Sequence, residues 1–285
     1  MPRSGVKALS PAVSAVPPRF HRMGLLVGGE ALAALGRTRA VIFGLGGVGS
    51  WAAEALVRSG VGRLTIVDND AVCVTNINRQ VQALESTVGV PKAAALLRRL
   101  LEINPLCEIT AFNQVFSRET APLFNLEAAD YVIDAIDSLG HKLDLIETAS
   151  AAGGPALFSS MGMARRLDPA RIKTADIWDT SGCPLAALVR QGLRKRGFTG
   201  HFTAVYSDEA PVPREEPPPE RDTANAGRGG AACGMDRCYC AGRDTEWCSS
   251  KKAINGSAVT VTAVAGMILA SLVIRDAAGL LRDER

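Results

Sequence analysis

A doubly wound parallel α/β sheet is predicted by three observations. An apolar run of strand length, AVIF, ends in a glycine turn, GLGGVG, at the point where a helix begins. A second apolar run, LTIV, comes after that helix and carries an acid, Asp68, at its end. Further strand-length runs, EITAF, YVID and PALFSS, then alternate with stretches of helical composition. That alternation is the pattern of parallel strands joined by crossover helices.

The glycines carry the first functional reading. Gly44, Gly46 and Gly49 satisfy G-x-G-x-x-G, the fingerprint of a Rossmann-like nucleotide turn. The first permits a tight turn, the second lets backbone approach a phosphate, and the third lets the helix pack on its strand with its N-terminal N–H groups facing the anion. The helix predicted over residues 48–59 ends at Gly60, and Asp68 comes 19 positions after Gly49, where a carboxylate can accept ribose hydroxyls. Such a turn on its own reads as NAD or FAD binding, and an NAD-binding redox protein stays open as an alternative. The polar residues beyond Asp68 favour a triphosphate: Asp70, Asn76, Asn78, Arg79 and Gln80, then Lys92 at the start of the next helix. Taken singly, Arg79 and Lys92 read as solvated surface charges. Beside Asp68 and the glycines they read as cations neutralising phosphate.

The chain has 285 residues, enough for one large α/β domain with an appendage. Lys+Arg 32 against Asp+Glu 29 gives +3, a balance that neither demands nor excludes a nucleic-acid partner. Of seven cysteines, Cys233, Cys238, Cys240 and Cys248 cluster as C-x4-C-x-C-x7-C, unlike the paired C-x2-C of zinc ribbons and unlike a secreted disulfide framework. No metal essential to chemistry is expected there. The N-terminus lacks an uninterrupted apolar stretch and is broken by prolines, so it fails as a signal peptide, and a cytoplasmic setting is expected.

In order along the chain, residues 1–18 read as a disordered tail. Arg19 and Arg22 then flank Phe20 ahead of an amphipathic helix. Pro91 is expected in the first turn of the crossover helix, with Val90, Ala94, Leu97 and Leu101 on one face. The fourth strand ends in two acids: Asp134 within the strand, capping neighbouring backbone, and Asp137 just past it, the better metal or substrate contact. The helix PLAALVRQGLRKRG has a basic end, Arg190, Arg194, Lys195 and Arg196, with no acid nearby in sequence. That end is a candidate contact for a nucleic-acid backbone. Residues 207–250 read as a mobile Pro-rich and Cys-containing insertion in a domain spanning 19–206. Residues 251–285 complete that domain as an α+β extension, alternating like a strand through Thr262 and then forming an apolar helix, a buried element rather than a membrane span.

The series GLGGVGS, LTIVDND, TNINRQ, VGVPKA, EINP and DAIDS resembles the ubiquitin-activating-enzyme-like (ThiF/MoeB/HesA) adenylyltransferases. DAVCVTNINRQ, LDPARIKTADI, CPLAALVRQGLRKRG and GSAVTVTAVAGMILAS are most similar to the tRNA threonylcarbamoyladenosine dehydratase branch of that superfamily. The resemblance implies ATP and Mg²⁺, with Asp68 on the ribose, Asn76, Arg79, Gln80 and Lys92 on the phosphates, and Asp137 on the metal. It implies a homodimer in which Arg22 reaches the partner subunit's ATP. It also implies a tRNA substrate activated as an acyl-adenylate. It leaves open a sulfur acceptor or cysteine desulfurase as a further partner, and adenylation of a ubiquitin-like sulfur carrier is the sister activity. Members with that activity typically carry two C-x2-C pairs that are absent here. Some dehydratases carry a cysteine where Lys251 stands, so no catalytic cysteine is assigned.

Overall fold

A computed structural model describes residues 16–151, 153–213 and 255–280. A seven-stranded sheet runs in the order β3-β2-β1-β4-β5-β7-β6. Its strands are β1 (Arg39–Phe43), β2 (Arg63–Val67), β3 (Glu108–Phe112), β4 (Tyr131–Asp134), β5 (Ala156–Ser160), β6 (Ile172–Asp176) and β7 (Thr203–Ser207). All pair in parallel except β6, which lies antiparallel on β7. Both faces are covered, which is why the central strands read as unbroken apolar runs rather than alternating ones. Ala40 and Ile42 of β1 point into one core and Val41 and Phe43 into the other.

Helix α1 (His21–Val27) and α2 (Gly29–Arg37) replace the single amphipathic helix expected before β1. The break is Gly28, whose φ of 85° no helix accommodates. Phe20 is buried. Helix α3 (Gly49–Arg58) ends as predicted at Gly60. Val61 N–H donates to the Leu56 carbonyl and Gly60 N–H to that of Val57, the pairing of a Schellman motif. Helix α4 (Lys92–Ile103) buries Ala93, Leu96 and Leu100, not the face through Ala94, Leu97 and Leu101. Pro91 stands outside as its cap, so Val90 does not set the helical phase. Helices α5 (Leu139–Ala149) and α6 (Pro184–Lys195) cover the other face of the sheet.

The strand expected through Thr262 is not formed. Residues 259–277 are one helix, α7 (Val259–Ala277), packed on α3. Its buried residues, Val261, Thr262, Ala265, Gly266, Leu269, Ala270 and Val273, adopt helical spacing, and burial against α3 overrides the strand-like Val/Thr alternation. A Cβ on Gly266 would meet the Val48 carbonyl oxygen at 2.4 Å, so the two helices touch through bare backbone. By length and composition α7 is apolar enough to cross a membrane, yet one face of it belongs to the core of this fold. Residues 1–15 and the cysteine cluster from Cys233 to Cys248, with Lys251, lie outside the described residues.

Candidate active site

The chain leaves β1 through Gly44, with φ of 86°, and a Cβ there would meet the Ala135 carbonyl oxygen at 2.6 Å. Gly49 is stricter: its Cβ would lie 1.9 Å from the Gly44 carbonyl oxygen, so only glycine lets α3 start this close to the strand. Gly46 differs. A Cβ there would meet nothing nearer than Gln80 Nε2 at 4.0 Å, so packing within the protein does not require glycine, and the open space suits a phosphate. The first turn of α3 has no side-chain cap, leaving its N–H groups for an anion.

Asp68 closes the turn from below. Its Oδ2 accepts from Leu45 N–H at 2.6 Å and its Oδ1 from Asp70 N–H at 2.8 Å. Lys92, first residue of α4, is buried with its Nζ 2.7 Å from Asp70 Oδ2 and 3.8 Å from Asp68 Oδ1. Burial pushes the Lys92 pKa down, but the charges of Asp68 and then Asp70 outweigh it, and the ammonium ends above its ordinary value. Burial likewise pushes the Asp68 carboxyl up, with Lys92 opposing. Lys92 is therefore a charged, desolvated cation, the form that stabilises phosphate charge best.

Arg79 is held from several sides. Its Nη1 donates to the Thr75 carbonyl and to Asn78 Oδ1, both at 2.9 Å, while Trp51 Nε1 donates to its carbonyl at 3.0 Å. Burial lowers its pKa and the charge of Asp137 pulls it back. Asp137, exposed beyond β4, is thus within electrostatic reach of both Arg79 and Lys92. Asn76 accepts from Cys73 N–H at 3.1 Å through its own Oδ1, so that oxygen shapes the turn. Gln80 is buried beside Gly46 with its Oε1 unpartnered.

The structure brings together Gly44, Gly46, Gly49, Asp68, Asp70, Asn76, Arg79, Gln80, Lys92 and Asp137. It does not bring Arg22. Phe20, two residues earlier, packs at Gly60, the end of α3 remote from the glycine turn, and Arg22 is exposed on α1. The basic end of α6 is also absent from the crevice. It precedes the start of β7, at the sheet edge opposite Gly44, and its charges are engaged: Arg196 pairs with Asp144 at 2.7 Å and Glu147 at 2.9 Å, and Arg194 stacks over Trp178. The expectation of unopposed cations is corrected at Arg196, because acids remote in sequence on α5 fold against it.

Several positioning residues escaped the sequence reading. Asp134 is fully buried, its Oδ2 bonded by Lys142 Nζ at 2.5 Å and Ser159 Oγ at 2.6 Å, and its Oδ1 by Ile136 N–H at 3.0 Å, which fixes the loop bearing Asp137. Only the backbone-capping half of this was legible, since Lys142 and Ser159 come from other elements. Gln82 Nε2 donates to the Leu45 carbonyl at 2.8 Å, and Asn78 Nδ2 to that of Ser257 at 2.9 Å, tying the site to the start of α7.

The ThiF family profile matches residues 21–280. This chain belongs to the ThiF family. Within it, the chain is 44% identical over 194 residues to the tRNA threonylcarbamoyladenosine dehydratase of Bacillus subtilis, covering 68% of this chain and 76% of that one. Its fold matches the E. coli tRNA N6-threonylcarbamoyladenosine dehydratase, TcdA, in complex with ATP, at TM-score 0.73 and 30% identity over 94% of this chain and 96% of that one. The AMP complex of TcdA matches at TM-score 0.75 and 31% identity, over 95% and 98%.

Proposed function

We propose that this ThiF-family chain is an ATP-dependent dehydratase that cyclises threonylcarbamoyladenosine in tRNA through an acyl-adenylate. The observation that carries the reading is Lys92, a buried ammonium kept charged by Asp68 and Asp70 beside a glycine turn whose Gly46 leaves open space. Asp68 offers its carboxylate to the ribose, while Arg79, Lys92 and the first N–H groups of α3 take the phosphates. The threonyl carboxylate oxygen attacks the α-phosphorus, a P–O bond forms, and pyrophosphate leaves. The carbamoyl group of the same nucleoside then loses a proton and attacks the activated carbonyl, closing the ring and expelling AMP with the former carboxylate oxygen. The two reacting groups already share one nucleoside, so the protein's task is positioning and charge stabilisation, and no protein nucleophile is required.

Asp137 fits Mg²⁺: an exposed carboxylate past a strand end would hold the ion together with triphosphate oxygens. When bound, the ion neutralises developing charge on the phosphates. A homodimer is part of the proposal. It is supported by Arg22 standing away from its own nucleotide turn and by Leu25 and Leu26 on the same helix, 75% and 79% exposed. A tRNA substrate is consistent with the cytoplasm as its setting.

The test is mass analysis of tRNA nucleosides after incubation with ATP. Cyclised nucleoside with AMP and pyrophosphate in equal amounts is expected. Pyrophosphate exchange that depends on the C-terminus of a ubiquitin-like carrier, with the tRNA unchanged, would move the assignment to the sister activity. Tight NAD binding without ATP binding would remove it altogether.

A further inference from the structure

Arg166 lies on the turn after β5 and is 2% exposed, one of the largest fully buried side chains among the described residues. Among the described residues its Nε and Nη1 have no hydrogen-bond partner. A buried cation without a counter-charge is among the most expensive features a fold can carry, and apolar residues of similar volume commonly replace buried ions without loss of stability. Acids stand close by in the same region, yet each is engaged elsewhere. Glu209 accepts from the N–H groups of Leu167 and Asp168 at 3.1 Å. Asp168 accepts from Ala170 N–H at 2.9 Å, and Asp208 pairs with Arg171 and Lys173.

The backbone around this side chain is built firmly. Arg165 adopts φ of 59°, its N–H donates to the Gly256 carbonyl at 2.9 Å, its carbonyl accepts from Val212 N–H at 2.8 Å, and its Nε donates to the Val212 carbonyl at 2.7 Å. The turn stands at the edge of the sheet where the strands end toward the nucleotide. Ser160, last residue of β5, gives its carbonyl to Lys142 in the Asp134 network, and Gly256 precedes the Ser257 whose carbonyl is bonded by Asn78.

We propose that Arg166 binds an oxyanion of the modified tRNA, the threonyl carboxylate, and presents it to the nucleotide. A guanidinium offers five N–H donors in a planar fork that matches a carboxylate. Its positive charge orders the anion, while Lys92 and Arg79 neutralise the phosphates that the anion must approach. This assignment rests on the dehydratase reading, and the two are tested separately: wild-type cyclisation tests the reading, and the ratio of variant to wild type tests Arg166.

In Arg166→Met, the expected result is a melting temperature equal to or above wild type, ATP affinity unchanged within twofold, and KM for threonylcarbamoyladenosine-containing tRNA raised tenfold or more. Arg166→Lys keeps the charge but loses the fork, so its KM should fall between the two. Binding of unmodified tRNA should be the same in wild type and Arg166→Met. An equal loss on unmodified tRNA would assign the anion to a backbone phosphate and overturn the carboxylate assignment. Unchanged KM in Arg166→Met would overturn the proposal, and so would failure of that variant to fold, because the guanidinium would then serve the fold.

Discussion

Lys92 carries its charge because two acids from one short loop meet it in a buried place. Removing the ammonium or the Arg79 guanidinium takes away one electrostatic contact to developing phosphate charge, on the scale of about 10²–10³ in rate. Lys92→Ala and Arg79→Ala should each lose that much pyrophosphate exchange while remaining folded, and near-wild-type exchange in both would remove them from the phosphate-binding role. The raised pKa of Lys92 has a sign that can be checked. Burial alone would lower it, and Asp68 is the largest opposing charge. In Asp68→Asn that support is gone, so the ammonium pKa falls and exchange should decline as pH rises through it, whereas wild type holds its rate over the same range. Parallel pH profiles in the two proteins would mean that Asp68 does not hold the Lys92 charge.

At the scale of elements, the site depends on α3 being pressed between β1 and α7. Glu54 of α3 is buried and bonded by Arg99 of α4, at 2.5 Å and 3.1 Å, and by Arg58, at 2.9 Å, so the first crossover helix is clamped to the second. On its other side α3 meets α7 at Gly266. Gly266→Ala forces a Cβ toward the Val48 carbonyl, immediately before the turn whose N–H groups face the phosphate. Overpacking of this kind costs about 1–3 kcal/mol. Denaturant unfolding should show that loss, accompanied by weaker ATP binding because the helix start is displaced. A Gly266→Ala protein as stable as wild type would show that the helices separate freely.

For the whole molecule, the position of Arg22 leads to a prediction about assembly. If Arg22 serves the partner's nucleotide, Arg22→Ala and Arg79→Ala damage opposite halves of each composite site. Mixing the two inactive variants and allowing exchange makes mixed dimers with one intact site out of two, and random pairing recovers about a quarter of wild-type activity. If Arg22 acted on its own subunit's ATP, mixing would recover nothing, and if it acted on none, Arg22→Ala alone would keep wild-type activity. Light scattering on the same samples reports the assembly, and a fully active monomer would end the trans role.

What the sequence by itself determined is local. The strand, glycine turn, helix and second strand from Arg39 to Val67 arise from apolar run length, from turn geometry that glycine alone can meet, and from a C-terminal glycine stop, all within a few neighbours along the chain. The placing of Asp68, Asp70 and Lys92 at strand and helix ends comes from the same units. Tertiary structure decided the rest, because it depends on what distant segments bury. Residues 257–262 alternate like a strand, yet α3 presents a groove that only a helix with Gly266 can fill. Arg196 looks unopposed until α5 brings Asp144 and Glu147 against it. Lys142 reaches Asp134 only across β4 and β5, and Arg166 reads as one more basic residue until folding takes it out of water with no acid among the described residues to meet it. Propensity and periodicity act between near neighbours, whereas desolvation and charge pairing act between whatever the fold brings into contact.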